Sequence, residues 1–296
     1  MNKVNGFLYG LLSSASFGLI PLFTIPAMHQ GMQFWSILLY RFLFAMLALA
    51  CILLLDKQSF RIRRKEILPL LLLAFLYDCS AVFLFWGYKF MSSGVATTIH
   101  FMYPLAVALA MMGFFGEKRS FAILFAVLVS LSGAGLLSSG KIDFEGGNTT
   151  IGLIAAGLSV FFYGGYIVGV RKSRAVQIPS TALTCYVMGL GALFFIIGGY
   201  LTGGIRLAND TYTWLNILGL ALPATAISNI TLVKAIKYIG PTLTSIFGAL
   251  EPLTAVVIGC LIFNESFTPA SAIGMALIIT AVTVVVVHEK KKESES

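Results

Sequence analysis

The sequence predicts an all-α membrane protein in which ten transmembrane helices form two inverted five-helix repeats. Three observations predict this fold class. Hydrophobic residues make up 58% of the 296 residues, and charged residues make up only 11%. Ten apolar runs of about 20 residues are each long enough to cross a hydrocarbon core roughly 30 Å thick. A motif in the first half of the chain returns in the second half, as it does in membrane proteins built from repeats.

The ten apolar runs are joined by connections too short to hold a folded soluble domain. The first run contains Pro21 and Pro26, and no clear small-residue cleavage site separates it from the second run. It therefore predicts a helix rather than a cleaved signal peptide. The predicted helices, in chain order, are 6–27, 34–55, 67–88, 93–114, 120–138, 151–170, 181–201, 213–233, 240–262 and 269–288.

An internal repeat relates the first five runs to the last five. At a shift of 148 residues the identical pairs include Lys89 and Lys237, Pro104 and Pro252, Leu105 and Leu253, Phe115 and Phe263, and Glu117 and Glu265. The start of each half matches at a shift of 146, as in Gly6 and Gly152. Because each half holds an odd number of helices, the second half crosses the membrane in the opposite direction, which makes the repeat inverted. The predicted units are residues 1–140 and 146–288, followed by a disordered cytoplasmic tail at 289–296.

The basic residues predict the orientation of the chain. With the N-terminus in the cytoplasm, sixteen of the twenty Lys and Arg residues fall on the inner side, three fall on the outer side, and Arg41 lies within a span. The positive-inside rule then places both termini in the cytoplasm of a multi-pass protein of the cell (inner) membrane. The net charge of +8 is explained by this orientation and does not call for a nucleic-acid partner.

Four ionisable residues lie well within the predicted spans: Asp78, His100, Glu251 and Arg41. An ionised side chain near the bilayer centre costs roughly 2.5–3.5 kcal/mol, and such residues usually line a cavity or pair with one another. Asp78, in the third helix, is a candidate cation-binding or proton-accepting group, and its alternative role is an interhelical hydrogen bond.

Glu251 directly precedes Pro252 in the ninth helix. Since proline lacks an N–H, the carbonyl one turn back, near Gly248, is expected to lack its helical donor. A free carbonyl beside a carboxylate would favour a cation or a proton. The alternative is that Glu251 only caps the interrupted backbone.

His100 and Arg41 each have a functional and a structural interpretation. His100 shares a predicted helical stripe with Ser93, Thr97 and Pro104, which would face water or another helix. It would then be either a coupling group or a packing residue. Arg41 could bind a substrate carboxylate with two parallel hydrogen bonds. It could also extend toward the membrane surface or pair with an acid.

Neutral polar and aromatic side chains lie near these four residues in the sequence. Ser159, Tyr163 and Tyr166 share a face of the sixth helix, and Thr225, Ser228 and Asn229 share a face of the eighth. Tyr77, Trp86 and Tyr103 are expected near the acids and would suit an amphipathic or cationic solute. With 24 Phe and 11 Tyr, most aromatic residues should face lipid or each other. The predicted substrate-binding or coupling residues are Asp78, Glu251, His100, Arg41, Tyr40, Tyr77, Tyr103, Tyr163 and Asn229.

Other conspicuous residues have structural interpretations. Glu117 and Glu265 each follow a span and precede a helix cap, Ser120 in one case and Thr268 in the other. The four cysteines are expected to be small buried thiols, and small-residue runs such as 132–135 predict close helix packing. The sequence lacks a second intramembrane aspartate for aspartyl proteolysis, a His-Glu-x-x-His zinc motif and a Walker-type glycine loop. We therefore expect no enzyme activity, no metal site and no cofactor.

The motifs around the two repeated prolines resemble those of the drug/metabolite transporter superfamily. Pro104 is followed by Gly116-Glu117, and Glu251-Pro252 is followed by Asn264-Glu265. The chain is most similar to the EamA-type family, over about residues 6 to 288, although Asn264 replaces the usual glycine. The resemblance implies a basket of helices around a central cavity that opens alternately to either side. It also implies transport of amino acids, other metabolites or amphipathic compounds. Arg41 and the Glu251-Pro252 pair are similar to family features, whereas Asp78 and His100 rest on the burial argument alone.

We therefore expect a secondary active transporter, acting as an exporter, of small polar or zwitterionic metabolites, with amino acids as the leading class. Arg41 would bind a carboxylate, and Asp78 or Glu251 would bind an ammonium group, near the midplane between the halves. Proton exchange at Asp78 and Glu251, aided by His100, is a hypothesis for coupling. The alternatives are an uncoupled facilitator or pore and an exporter of cationic amphipathic drugs. The expected partners are a small-molecule substrate, membrane lipid and, in a coupled carrier, protons. The sequence is compatible with a monomer and with a homodimer.

Overall fold

The chain is predominantly helical in the part that its structure covers. A computed structural model describes residues 3–57, 60–87, 90, 93–117, 120–138, 149–262 and 268–294, and it contains no strand in those ranges. A 3-10 turn covers Arg174–Gln177, and a π-helical segment covers Leu222–Ile227. The α-helices are α1 (Lys3–Phe17), α2 (Ile20–His29), α3 (Phe34–Leu55), α4 (Arg64–Gly87), α5 (Ser93–His100), α6 (Tyr103–Phe114), α7 (Phe121–Ser138), α8 (Thr149–Lys172), α9 (Ser180–Leu201), α10 (Thr211–Ala221), α11 (Ser228–Phe247), α12 (Leu250–Ile262) and α13 (Pro269–Ser294).

Every predicted run contains an apolar helix, which confirms the all-α membrane fold. Among the described residues, seven helical stretches are long and apolar enough to cross a membrane: Lys3–His29, Phe34–Leu55, Arg64–Gly87, Thr150–Lys172, Ser180–Leu201, Thr211–Phe247 and Pro269–His288. Shorter apolar helices fill the remaining three runs: Tyr103–Phe114, Phe121–Leu136 and Leu250–Ile262.

Four of the runs predicted as continuous helices are interrupted, and a proline lies at each interruption. Pro21 and Pro104 lie within the first two positions of α2 and α6, directly after breaks in the first and fourth runs. Pro223 lies in the π-helical segment of the eighth run, and Pro252 follows the break before α12. Because proline has no N–H, it fits best where a helix begins anew.

The boundary between the eighth and ninth runs is a single glycine. Gly240 has φ 85° and ψ 168°, within a segment that is otherwise helical from Ser228 to Phe247. A positive φ is accessible to glycine at little cost and is rare for other residues. The predicted connection at 234–239 is therefore helical, and the chain turns at Gly240, just before Pro241.

One compact unit comprises residues 1–78 and 169–238. In this unit α3 packs along α9, and glycines of α9 permit the close approach. A Cβ atom at Gly191 would lie 2.5 Å from Cδ1 of Phe42, and one at Gly189 would lie 3.2 Å from Cγ of Met46. Helix α10 packs against α2 and α3 around a buried apolar cluster that includes Ile37, Tyr40, Ile217 and Leu220.

The other compact unit comprises residues 79–168 and 239–296. Its main pairing is α7 with α13. A Cβ atom at Gly133 would lie 2.7 Å from the carbonyl oxygen of Gly274 and 2.8 Å from Cγ1 of Ile278. The small-residue run at 132–135 therefore includes a position where two helix backbones nearly touch, as the sequence predicted.

Local hydrogen bonds agree with the structural interpretation of Glu117 and the two predicted caps. The hydroxyl of Thr242 donates to Oε2 of Glu117 at 2.7 Å. Ser120 accepts the backbone N–H of Ile123 at 3.4 Å, and Thr268 accepts that of Ser271 at 3.1 Å. Lys89, Phe263, Asn264 and Glu265 lie outside the described residues.

Two smaller expectations differ from the structure. The tail was predicted to be disordered from residue 289, but α13 continues to Ser294. Its Glu and Lys residues are strong helix formers that extend the preceding helix. Cys51 was predicted to be buried, and its side chain is exposed because it lies on the outer face of α3, whereas Cys79 and Cys185 are buried.

Asp210 caps the N-terminus of α10 and provides a prediction about pH. Its carboxylate accepts hydrogen bonds from the hydroxyl of Thr213 at 2.7 Å and from the Thr213 N–H at 2.8 Å. These bonds hold the pKa of Asp210 below its usual value of 3.8. The stabilisation of the folded protein by this cap is therefore complete above the usual pKa of Asp210 and is lost as the pH falls through the lowered pKa.

The cap predicts how the melting temperature depends on pH. We expect Asp210→Ala to lower the melting temperature in detergent at neutral pH. The difference in melting temperature from wild type should disappear on acidification. Asp210→Asn keeps a capping oxygen and should show a smaller gap without this titration; a gap for Asp210→Ala that is independent of pH would contradict the assignment.

Candidate functional site

Arg41 lies inside the protein and is bound to an interrupted helix. Only 7% of its surface is exposed, and its Nε donates to Oγ1 of Thr225 at 2.6 Å. Thr225 belongs to the π-helical segment and donates its own hydroxyl to the carbonyl of Leu220 at 2.7 Å. The structure thus places a buried guanidinium against a π-helical segment, a feature common at functional sites.

Asn229 is anchored on the same residue as Arg41. Its Nδ2 donates to the backbone carbonyl of Thr225 at 2.9 Å. The hydroxyl of Ser228 donates to the same carbonyl at 3.0 Å, and the Ser228 carbonyl accepts the hydroxyl of Ser13 at 2.9 Å. Thr225, Ser228 and Asn229 are all fully buried. We call Arg41, Thr225, Ser228 and Asn229 the arginine cluster.

Asp78 is also buried in this unit, with 2% of its surface exposed. Its Oδ1 has no hydrogen-bond partner within the described part of the chain. A Cβ atom at Gly191 would lie 2.5 Å from this oxygen, so the carboxyl group rests directly on the backbone of α9. An acid buried within an apolar span is costly, so Asp78 stays a candidate functional residue.

Tyr40 and Tyr77 lie in apolar surroundings in this unit. The Tyr40 ring meets Trp214 edge-on, with centroids 5.0 Å apart, and it belongs to the apolar cluster beneath α10. The Tyr77 ring lies 5.7 Å from that of Phe42. The contacts seen for both residues are those of packing residues.

The second unit brings His100, Tyr103 and Tyr163 together. The centroid of the His100 ring lies 5.7 Å from that of Tyr103 and 5.3 Å from that of Tyr163. The two tyrosine rings meet edge to face at 4.7 Å. Tyr166 is stacked 6.3 Å from Tyr163. These four rings form what we call the aromatic cluster.

A serine hydroxyl links His100 to α8. Nδ1 of His100 lies 2.9 Å from Oγ of Ser159, and the donor of this hydrogen bond depends on the tautomer of the ring. Oγ of Ser159 also lies 2.6 Å from the carbonyl oxygen of Ala156. When the Ser159 proton is donated to that carbonyl, Nδ1 is the donor and Nε2 of a neutral ring is an acceptor.

Tyr103 packs against Gly248, at the break between α11 and α12. A Cβ atom at Gly248 would overlap the hydroxyl oxygen of Tyr103 and would lie 2.8 Å from its Cζ. Glu251 is close enough to the Tyr103 phenol to interact with it electrostatically. The predicted free carbonyl at Gly248 is wrong, because the N–H of Glu251 donates to it at 3.0 Å. The turn has tightened to replace the bond that Pro252 lacks.

One more expectation about these side chains is corrected by the structure. The predicted stripe on one helix is wrong, because α5 ends at His100 and Pro104 lies on α6. Trp86, which was expected near the acids, has 42% of its surface exposed, and its ring packs against Phe83 and Phe90.

The sequence analysis missed three features. It noted Thr225 without its bond to Arg41, and it did not identify Gly191 beneath Asp78 or Gly248 beneath Tyr103. Pro223, two residues before Thr225, was the available signal that the eighth helix would be irregular. Throughout the described ranges, no three His, Cys, Asp or Glu side chains gather in a way that could hold a metal ion.

Comparison with known proteins agrees with the fold. A solved crystal structure superposes with a TM-score of 0.82 over 94% of this chain and 97% of its own, at 17% sequence identity. An uncharacterized transporter of Archaeoglobus fulgidus is 25% identical over 184 residues, which span 62% of each chain. The family model of the EamA-like transporter family matches residues 4–139 and 150–287. With nearly the whole sequence matched in this way, the chain belongs to the EamA-like transporter family.

Proposed function

We propose that this protein is a secondary active transporter, working as an exporter, of small polar or zwitterionic metabolites, with amino acids as the leading class. The observation that carries the proposal is the buried guanidinium of Arg41, bonded to Thr225 within an apolar span. A guanidinium matches a carboxylate through two parallel hydrogen bonds. Arg41 would therefore bind the carboxylate of the substrate.

Asp78 and Glu251 are the proposed sites of proton exchange. Each is an acid within an apolar helix, and such residues in transporters commonly take part in proton relays. Oδ1 of Asp78 is buried and has no hydrogen-bond partner in the described chain. His100 would assist on the side of Glu251, because an imidazole can accept and release a proton and its ring centroid lies 5.7 Å from that of Tyr103. A gradient of protons would then supply the energy for transport.

The aromatic cluster favours a second candidate function, the export of cationic amphipathic compounds. Aromatic rings attract organic cations through their faces, and Glu251 would add a negative charge beside Tyr103. In that case Asp78 or Glu251 would be essential, whereas Arg41→Ala would leave transport unchanged.

The proposed location is the cytoplasmic membrane, with both termini in the cytoplasm. The distribution of basic residues supports this orientation. Reporter fusions should place residues 57–65 and 171–174 on the same, cytoplasmic side. Fusions that place them on opposite sides would overturn the orientation.

Counterflow in proteoliposomes tests the proposed function. We expect wild type to exchange labelled amino acids with saturation and to accumulate them when a pH gradient is imposed. Asp78→Asn and Glu251→Gln should each abolish the pH-driven accumulation, because neither amide binds and releases a proton in this range. If both variants keep full accumulation, the coupling hypothesis is wrong. Non-saturating conduction by wild type would instead support a facilitator or pore.

A further inference from the structure

We propose that Asn229 binds the ammonium end of the substrate through its amide oxygen, and that this oxygen selects substrates bearing N–H groups. This inference rests on the proposed function, and it concerns the arginine cluster. It leaves Asp78 and Glu251 for proton exchange. A hydrogen bond fixes the orientation of the Asn229 amide. Nδ2 lies 2.9 Å from the carbonyl oxygen of Thr225, and a swapped amide would place two acceptors in contact.

The amide oxygen that results is buried and unused. Asn229 has no exposed surface, and its Oδ1 lacks a hydrogen-bond partner in the described part of the protein. Buried polar atoms are nearly always hydrogen-bonded in native proteins, so each exception calls for an explanation. A side chain needed only for packing would be better as leucine, which has a similar shape and no unsatisfied acceptor. The oxygen therefore points to a donor that arrives with a ligand.

The position of Arg41 indicates which chemical groups this ligand carries. The hydroxyl oxygen of Thr225 accepts a hydrogen bond from Nε of Arg41, and the backbone carbonyl of Thr225 accepts one from Nδ2 of Asn229. A cationic donor and an unsatisfied acceptor are thus held by one residue of the π-helical segment. A ligand that suits both must carry an anionic oxygen and an N–H donor. The α-carboxylate and α-ammonium groups of an amino acid meet this requirement.

The amide oxygen also predicts a discrimination that a carboxylate would not impose. A carboxylate attracts any cation through its charge, including quaternary amines. A neutral amide oxygen gains most of its affinity from a hydrogen bond and therefore requires an N–H group. The transporter should prefer an amino acid over its N,N,N-trimethyl derivative, which keeps the carboxylate and the positive charge but has no N–H.

The test uses this pair of substrates with Asn229→Leu and a matched control. Asn216 lies on α10 in the same unit, and its Nδ2 also donates to the carbonyl four residues back, that of Tyr212, at 2.9 Å. Asn216→Leu therefore makes the same chemical change at a residue outside the arginine cluster. Both variants are assayed by counterflow and by thermal melting with and without substrate.

We expect wild type and Asn216→Leu to prefer the amino acid over the trimethyl derivative by at least about tenfold in kcat/KM. Asn229→Leu should lose this preference and the substrate-induced rise in melting temperature. Its melting temperature without substrate should not fall, because the Thr225 carbonyl still accepts from Ser228 and the unsatisfied oxygen has been removed.

Three outcomes would overturn the inference. Asn229→Leu could retain the wild-type preference, which would mean that the oxygen holds only a structural water. Wild type could transport the amino acid and its trimethyl derivative equally well. This result would contradict the proposed selection for N–H groups even if Asn229→Leu fails to fold. If wild type exchanges no amino acid at all, the proposed function fails, and the assignment of Asn229 falls with it.

Discussion

Replacing Gly248 with alanine is expected to destabilise the protein by about 3 kcal/mol or more, at the upper end of the usual cost of overpacking. The added methyl group would overlap the hydroxyl oxygen of Tyr103, and it would lie 2.9 Å from the carbonyl oxygen of Ser245. Tyr103 cannot move aside easily, because its ring is 3% exposed and meets Tyr163 edge to face. The measurement is the melting temperature and the yield of monodisperse protein in detergent.

Two further variants separate this clash from a general effect of the substitution. Tyr103→Phe combined with Gly248→Ala removes the overlapping oxygen and should recover part of the lost stability, because Cζ and the Ser245 carbonyl oxygen would still lie 2.8 Å and 2.9 Å from the new methyl. Gly113→Ala, on α6, adds a methyl with nothing within 4 Å and should be neutral. If Gly248→Ala melts at the wild-type temperature, the packing of Tyr103 on Gly248 is wrong.

Helix positions could be predicted because hydropathy and capping are local properties. The run at 34–55 coincides with α3, since polar residues flank it on both sides. Ser120 and Thr268 are capping residues in the sequence and in the structure, because a side-chain oxygen at that position accepts a backbone N–H of the first turn. The four interruptions were less predictable. A proline indicates strain in a long apolar run, but tertiary packing decides whether the helix bends, breaks or becomes a π-helix.

The partners of the candidate site residues could not be predicted, because they are distant in the sequence. Arg41 and Thr225 are 184 positions apart, and no local pattern links them. The same is true of Gly191, which lies beneath Asp78, and of Gly248, which lies beneath Tyr103. The residue types did single out Asp78, His100, Glu251 and Arg41, since ionisable groups are costly in a membrane. The structure adds which neighbours surround them, and it places the rings of Tyr40 and Tyr77 against those of Trp214 and Phe42.

Arg41→Met is expected to reduce amino acid transport by about two orders of magnitude or more. Methionine has a similar length and fits an apolar span, so the variant should remain folded. It lacks the charge that we propose to pair with the substrate carboxylate, and truncating one partner of a buried, hydrogen-bonded charge pair costs about 2–5 kcal/mol. Counterflow of an amino acid measures the loss. Arg41→Lys keeps the charge but not the planar fork, and it should recover only part of the activity. Full transport by Arg41→Met would leave the cationic amphipathic class as the better candidate.

Thr225→Val is expected to act on the same site through stability. Valine has the shape of threonine but no hydroxyl, so the buried guanidinium loses the 2.6 Å hydrogen bond from its Nε. A hydrogen bond to a charged group contributes about 1.5–3 kcal/mol, and the variant should melt at a correspondingly lower temperature. Thr225→Ser keeps the hydroxyl and serves as the control.

In a double-mutant cycle with Arg41→Met, the two substitutions should be coupled by about 0.5–3 kcal/mol. Strictly additive effects would show that Arg41 and Thr225 act independently, and they would remove the reason for treating the π-helical segment as part of the binding site.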